Sequence, residues 1–333
     1  MQTILETGDL NYVLLQKIGF GGTCSVYRGY SVEENVHSIY AIKIFKDQHK
    51  KYFEKEILVN KILPQKYFLK LINYGSGYIH QKNENSLNPV NKNNNITEKY
   101  NGKVFYIIEE IAENGELFNY IYEYGKSFSE DISAKIFVRI IKSVKILHEN
   151  NIIHCDIKPE NVLVGNNFEL KLIDFGFSQK LNKNNNNIIY NTEGSNRYSS
   201  PEIRKANISG YDGIKSDIFS LGVLLFVITL GRFPFYECGY TDKKYRLIMT
   251  KKYDSYWSSY ENINISKEFK DLINHLICFN PNERFSIEEI LRHPWIKNNI
   301  NYNEINKNEF SVDEDLVKEL EKRKDFMQKK KTN

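Results

Sequence analysis

The sequence predicts an α+β chain of two lobes, a small antiparallel sheet followed by a larger, mainly helical body. Residues 12–46 carry short apolar alternations separated by Gly-rich and polar turns, the period-two pattern of half-buried strands. From Ser129 onward apolar residues instead recur at helical spacing, as at Ile132, Ile136, Ile140 and Ile141. No internal repeat is visible.

In chain order, strands are expected at residues 12–15 and 40–44, then a helix at 52–63 closed by Pro64, then strands at 68–74 and 104–110. Between those last two strands, residues 76–102 are rich in Asn and Lys, include Asn93, Asn94 and Asn95, and lack an apolar period. They read as a disordered surface insertion. A second Asn tract, 184–187, interrupts the region after Asp174 and reads as composition without chemistry. Residues 218–230 are the most apolar stretch and read as a buried core helix, too short to span a bilayer. Phe269, Leu272, Ile273 and Leu276 mark the buried face of another helix.

Composition narrows the classes. A hydrophobic content of 41 % over 333 residues is ample for a buried core. Cys24, Cys155, Cys238 and Cys278 are scattered, with neither metal-ligand spacing nor a disulfide framework. That fits a reducing compartment, cytoplasmic first and nuclear second. The net charge of +4 is small for this length and gives no argument for nucleic acid or an anionic membrane. The start lacks a basic segment followed by an apolar one, and position 2 is Gln, so neither a secretory signal nor N-myristoylation is expected.

The chemistry is read from what a triphosphate needs. Backbone N–H groups must come close to its oxygens, which favours glycine in a turn between strands. Gly19-Phe20-Gly21-Gly22-Thr23-Cys24-Ser25-Val26 offers such a turn, although Cys24 stands where the usual pattern has a third Gly. By itself this is only a tight hairpin. Lys43, in Ala41-Ile42-Lys43 on an expected strand, brings an ammonium that can meet phosphates. The decisive stretch is His154-Cys155-Asp156-Ile157-Lys158-Pro159-Glu160-Asn161-Val162-Leu163, followed by Ile173-Asp174-Phe175-Gly176. Phosphoryl transfer needs a carboxylate at the incoming hydroxyl, a cation at the transferred group and oxygen ligands for magnesium. Asp156, Lys158, Asn161 and Asp174 are residues of those types.

With these residues the chain resembles the eukaryotic protein kinases over about residues 12–297. Further strings follow in family order. Gly194-Ser195-Asn196-Arg197-Tyr198-Ser199-Ser200-Pro201-Glu202 resembles the substrate-binding segment, and Ser216-Asp217-Ile218-Phe219-Ser220-Leu221-Gly222-Val223 the central buried helix. Arg284 matches the family's partner for Glu202, and His293-Pro294-Trp295 its usual end. The resemblance implies the bilobal protein kinase fold, with an N-lobe at about 12–110, a C-lobe at about 113–297 and a charged tail at 298–333. It also implies an ATP- and Mg2+-dependent enzyme that phosphorylates protein Ser/Thr hydroxyls. A catalytically dead scaffold is the competing class, but it would be expected to lose Lys43, Asp156, Asn161 or Asp174, and none is lost.

The resemblance implies the following roles, position by position. Asp156 and Lys158 are the catalytic pair, and Asn161 and Asp174 the magnesium ligands. Gly19, Phe20, Gly21 and Gly22 cover the phosphates, Lys43 reaches them, and Val26, Ala41 and Leu163 sandwich adenine. Glu110 and Ala112 at the hinge, with Glu116 beyond it, complete the nucleotide set. The helix Glu that pairs with Lys43 is either Glu56 or Glu54. Glu56 is preferred, because counting from it puts Leu63 on the apolar helix face and reaches Leu71 without a gap, whereas Glu54 would put Lys61 there. The cost is that Asn60 falls in an apolar spine position, beside Leu71, His154 and Phe175.

Three departures stand out. Glu109 occupies the position that usually gates the pocket behind adenine. In a dry pocket a carboxylate must pair with a cation such as Lys43, be protonated, or reach water, and there it is expected to bar bulky inhibitors. Cys155 replaces the Arg that precedes the catalytic Asp in many members. Ser195 replaces the usual Thr but keeps a hydroxyl to reach Asp156 and Lys158, which supports Ser/Thr specificity.

Gly115-Glu116-Leu117-Phe118, Gly222-Val223-Leu224-Leu225-Phe226 and Phe233-Pro234-Phe235 resemble the calcium/calmodulin-dependent protein kinase group. Glu116 and Glu160 then match positions that hold basic residues upstream of the phosphosite. No EF-hand loop occurs in the sequence. The tail, with Leu316, Val317 and Leu320 on one helix face and a basic end at Lys329-Lys330-Lys331, reads first as a solvated helix and second as an autoinhibitory or calmodulin-binding segment, a site for a regulatory partner. Without the Arg at position 155, and with Asn191 where a loop phosphate would sit, activity is expected not to require loop phosphorylation.

Overall fold

In the computed structural model the described residues are 2–34, 38–82, 102–181, 187–300 and 313–332. Asn93, Asn94 and Asn95 of the expected insertion, and 184–186 of the second Asn tract, lie outside them. The chain divides into two compact units, Met1–Ala112 and Glu113–Asn333.

The first unit consists of β1 (Gln2–Glu6), β2 (Asn11–Phe20), β3 (Cys24–Ser31), β4 (Tyr40–Lys46), α1 (Lys50–Asn60), β5 (Leu71–Lys82) and β6 (Lys103–Glu110). The strands close into a barrel in the order β1-β2-β3-β4-β6-β5. Its interior is filled by Leu5, Tyr12, Leu14, Tyr27, Ile42, Ile44, Ile79, Val104, Tyr106 and Ile108. On the outside, Phe53 and Ile57 of α1 pack on Phe45, Phe105 and Ile107. Lys43 and Glu109 therefore sit on strands clamped between two apolar clusters.

Two features differ from the sequence expectation. The strands begin at Gln2 rather than Tyr12, and β5 runs on to Lys82, through residues that read as the start of the insertion. The two differences share a cause. Residues 2–6 of β1 pair antiparallel with 78–82 of β5, so each segment supplies the other's backbone partners. Gly77 marks the close approach, since a Cβ there would lie 2.2 Å from the Glu6 carbonyl oxygen.

The second unit begins with α2 (Leu117–Tyr122), α3 (Glu130–Glu149), β7 (Ile152–Ile153), β8 (Val162–Val164), β9 (Leu170–Leu172), β10 (Gln179–Lys180) and β11 (Ile188–Ile189). It continues with α4 (Ala206–Ser209), β12 (Tyr211–Asp212), α5 (Gly213–Leu230), α6 (Lys243–Met249), α7 (Tyr253–Trp257), α8 (Lys267–Leu276), α9 (Ile287–Arg292), α10 (Pro294–Asn299) and α11 (Glu314–Thr332). The helical faces expected from α3 and α8 are buried, including Ile132, Ile136, Ile140, Ile141, Phe269, Leu272, Ile273 and Leu276. Short ladders pair β7 with β10, β8 with β9, and β11 with β12.

α5 is the central helix. Asp212 caps its start by accepting the Lys215 N–H at 3.1 Å, and Gly231, at φ 64°, ends it in the left-handed conformation. It is longer than the apolar run suggested. Its 18 residues are long and apolar enough to cross a membrane, but 89 % of that window is buried inside the protein. Gly222 lets α8 approach, since a Cβ there would lie 2.6 Å from the Leu276 Cβ.

The tail departs furthest from the solvated helix expected. α11 does not stand in solvent: Leu316, Leu320, Arg323 and Met327 are buried along one face, at the i, i+4, i+7, i+11 spacing of a packed helix. The stripe was hidden in the sequence because its third member is an arginine.

Candidate functional site

In the first unit, Lys43 on β4 is ion-paired with Glu56 on α1, while Glu54 pairs with Lys50 on the exposed face at 3.4 Å. Glu109, opposite Ala41 in the β4–β6 register, places Oε2 3.2 Å from the Lys43 ammonium. Lys43, Glu56 and Glu109 are 7 %, 2 % and 2 % exposed, so two carboxylates share one buried lysine. Asn60 gives the second carboxylate a donor, since its Nδ2 donates to Glu109 Oε1 at 2.9 Å. An acidic residue at the gate and an amide in the spine are each costly alone; facing each other they share one hydrogen bond, and the Lys43 charge stands beside the other oxygen, which has no hydrogen-bond partner among the described residues.

The Gly-rich hairpin joins β2 and β3, closed by the Gly21 N–H donating to the Cys24 carbonyl at 3.0 Å. A Cβ at Gly22 would meet nothing within 4 Å, so the turn leaves open space above its backbone. Gly19 packs on Val26, where a Cβ would sit 3.3 Å from the Val26 Cβ, and Phe20 is exposed under the Lys17 ammonium. Ala41 is buried on β4, Glu110 ends β6, and Ala112 closes the unit.

In the second unit the loop between β7 and β8 brings the predicted catalytic residues together. Asp156 is 2 % exposed. Its Oδ2 accepts from Lys158 Nζ at 2.7 Å and Asn161 Nδ2 at 2.9 Å, and its Oδ1 from the Ser195 N–H at 2.9 Å. Burial works against the charged carboxylate, but Lys158, by charge and hydrogen bond, and the bond from Ser195 outweigh it and hold Asp156 below the usual carboxylate range. The Ser195 hydroxyl accepts from Lys158 at 2.8 Å. It was expected to reach Asp156 as well, and there the Ser195 backbone N–H makes the bond instead.

The loop is fixed by a residue the sequence reading gave no role. Asp217, 1 % exposed on α5, accepts the N–H groups of His154 at 2.9 Å and Cys155 at 3.0 Å, and pairs with His148 at 2.9 Å. These bonds hold Cys155 at φ 67°, a conformation that only a well-determined environment sustains. The available signal was a carboxylate inside an otherwise apolar helix, which must find donors when buried.

Asp174, at φ 66°, follows β9 and accepts the Gly176 N–H at 3.3 Å. His154 and Phe175 meet edge to face at 5.5 Å. Leu163 on β8 bridges to Glu116, the residue before α2. Among the described residues no three His, Cys, Asp or Glu side chains gather into a metal cluster. The hard oxygens of Asn161 and Asp174 nevertheless fit magnesium, an ion normally held by one or two protein ligands together with phosphates.

An open groove of about 900 Å³ lies beside the loop, lined by Phe118, Tyr122, Lys158, Glu160, Ser195 and Phe233 among others. Burial raises the Glu116 and Glu160 pKa values above the ordinary glutamate; Glu160 adds repulsion at Glu116, and Lys158 partly offsets both shifts. Glu160 Oε2 is buried without a hydrogen-bond partner. Farther along, Asn191 Nδ2 donates to the Phe177 and Glu193 carbonyls at 3.3 Å each, its Oδ1 accepts the Glu193 N–H at 3.2 Å, and the Tyr211 hydroxyl donates to its carbonyl at 2.8 Å. Cys155 packs on the apolar cluster of Ile153, Leu181, Ile189, Ala206 and Tyr211.

A Gly-rich hairpin, a buried lysine–glutamate pair and a loop joining aspartate, lysine and asparagine are together the hallmarks of one class, the protein kinases. A family model described as the protein kinase domain matches residues 12–296, and the chain belongs to that family. Among curated relatives, the human SNF-related serine/threonine-protein kinase is 36 % identical over 196 residues, covering 58 % of this chain and 24 % of the relative. CBL-interacting protein kinase 11 of Oryza sativa subsp. japonica is 35 % identical over 204 residues, covering 60 % and 38 %. Serine/threonine-protein kinase kin-29 of Caenorhabditis elegans is 35 % identical over 194 residues, covering 58 % and 22 %. The matched part is thus well under half of each relative's length.

Proposed function

We propose that this chain is a serine/threonine protein kinase whose substrates carry basic residues upstream of the accepting hydroxyl. The observation that carries the reading is Asp156, buried, ionised and fixed through both oxygens by Lys158, Asn161 and Ser195. ATP with Mg2+ would supply the transferable phosphoryl group and neutralise its charge, with Asn161 and Asp174 as ligands and Lys43 at the phosphates. A carboxylate held below its usual range is a weak base. Asp156 therefore orients the hydroxyl and takes its proton late, which suits a reaction dominated by positioning and electrostatics. Lys158 brings positive charge to the same place. Transfer of phosphate to a generic basic protein with ATP and magnesium tests the reading; no transfer by folded protein refutes it.

The substrate preference rests on Glu116 and Glu160. Two partly buried carboxylates, one with an unpartnered oxygen, favour a guanidinium, which satisfies both by charge-assisted hydrogen bonds. Glu116→Ala is expected to lower kcat/KM for an arginine-bearing peptide roughly tenfold more than for a peptide without arginine, at about 1.5–3 kcal/mol per charged hydrogen bond. Because both pKa values are raised and the ionised form binds, the preference should fade on acidification at a higher pH than an ordinary glutamate would set. A peptide-library screen without basic selectivity refutes this part.

Loop phosphorylation is not needed in this reading. Where relatives have a buried cation awaiting a phosphate, Cys155 packs on apolar residues, and the Asn191 amide already ties the segment to Phe177 and Glu193. Of the two cations that a phosphate on Thr192 could pair with, Arg197 and Lys180, Arg197 is stacked over Phe233 at 4.1 Å. Phosphatase-treated protein is expected to keep most of its activity, and Thr192→Ala to change it little. A tenfold loss restored by phosphate on Thr192 decides against this.

A further inference from the structure

We propose that α11 is a brace that positions the peptide-binding helix α2, with Arg323 as its positioning residue, so that the tail supports substrate binding and does not block it. Four observations converge on this residue. Arg323 is 2 % exposed, in a face otherwise made of Leu316, Leu320 and Met327. Its Nη1 donates to the carbonyls of Tyr120 at 2.8 Å and Lys126 at 2.7 Å, and its Nη2 to that of Ser127 at 2.9 Å. Its Nε donates to Glu319 on the preceding turn at 2.8 Å, which fixes the guanidinium before it meets those carbonyls. The guanidinium also lies 3.6 Å over the Phe128 ring and 4.4 Å from that of Tyr124.

The carbonyls it gathers explain why the contact matters. α2 has 6 residues, too few for a helix to hold itself in place, and its last carbonyls have no partners within the helix. Arg323 caps that end with fixed positive charge, favourable at a helix C-terminus, and in the same contact ties the loop that follows. α2 bears on the substrate groove through Phe118 and Tyr122, and Glu116 stands at its N-cap. Displacing the capped end would move all three. α11 is also held just before its first residue, by Lys135 on Asp313 at 2.9 Å, and beside Arg323, by Lys324 on Asn114 at 2.7 Å.

An autoinhibitory tail would have to occupy the groove; α11 instead grips the carbonyl end of one of its walls. The inference rests on the reading that α2 and Glu116 bind peptide, and the experiment separates the two. Full-length Arg323→Met is assayed with a peptide carrying two arginines upstream of one serine and with its counterpart having alanines in their place, beside Glu116→Ala. The expected result is a peptide KM raised about tenfold, the share of the lost charged hydrogen bonds felt at the groove, with a smaller rise in the KM for ATP. Arg323→Lys, which keeps the charge but not the fork, should be intermediate. A rise in activity at low peptide overturns the proposal in favour of autoinhibition. A lowered melting temperature with unchanged peptide KM overturns it in favour of a purely structural tail. If Arg323→Met does not melt cooperatively, Arg323→Lys is read in its place, and an unchanged peptide KM there is equally fatal. Flattened selectivity in Glu116→Ala with an unaltered Arg323→Met leaves the peptide reading standing and removes the brace; a raised KM in Arg323→Met with selectivity intact in Glu116→Ala does the reverse.

Discussion

Asp156→Asn is expected to lower phosphate transfer by roughly 10²–10⁴-fold, the usual worth of a positioned proton acceptor, without unfolding the protein. The side chain keeps its shape, so the loss is chemical. Asp156 uses both oxygens as acceptors: Oδ2 takes Lys158 and Asn161, and Oδ1 takes the Ser195 N–H. An asparagine has one oxygen and one NH₂, so whichever way it turns, a donor faces a donor. If the NH₂ faces Lys158, the ammonium is pushed off the place where the hydroxyl must sit; if it faces Ser195, the substrate segment loses its anchor. Neither orientation can accept the hydroxyl's proton. Asp174→Asn should cost a similar factor for a different reason, since it removes a charged oxygen from the proposed magnesium ligands while leaving the Asp156 network intact. Initial rates, with melting curves to show that each variant is folded, check both, and near-normal turnover in either rejects the mechanism.

What could be read in the sequence depended on how locally each feature declares itself. The faces of α3 and α8 are visible because their apolar residues recur within one helix. The loop between β7 and β8 is visible because Asp156, Lys158 and Asn161 lie close together in the chain. The pairing of Lys43 with Glu56 was reachable by counting along α1, and the same counting exposed the anomaly at Asn60. That anomaly is resolved only by Glu109, 49 residues away, because polar partners on different elements leave no periodic trace. β1 failed for the same reason. Five residues make a weak strand signal, and their partner in β5 lies in a segment whose glycines and polar residues resemble a loop. Asp217 and Arg323 are the sharpest misses. Each is a charge set within an apolar stripe, read as a break in the pattern when it is the point the pattern serves. A buried charge is costly unless it meets several partners. Asp217 meets two backbone N–H groups, and Arg323 meets three backbone carbonyls.

Arg284→Met is expected to be the most destabilising of the single changes considered, at about 3–5 kcal/mol. The guanidinium is fully buried and forms a two-pronged pair with Glu202, through Nη1 to Oε1 at 2.6 Å and Nη2 to Oε2 at 2.8 Å. It also donates to the Lys215 carbonyl at 2.8 Å and the Cys278 carbonyl at 3.1 Å, and lies 4.9 Å from the Phe219 ring on α5. One side chain thus ties the substrate segment, the start of α5 and the loop after α8 to a single point. Methionine fills much of the volume but donates nothing, and it strands a carboxylate whose side chain is only 17 % exposed, together with the carbonyls of Lys215, Cys278 and Phe279. In a unit of this size each kcal/mol moves the melting temperature by about 2–4 °C, so a fall on the order of 10 °C is expected. Glu202→Leu combined with Arg284→Met should recover part of it, because an apolar pair strands no charge. A single-variant shift below about 2 °C would show that water reaches Glu202 and that the pair contributes no more than a surface salt bridge.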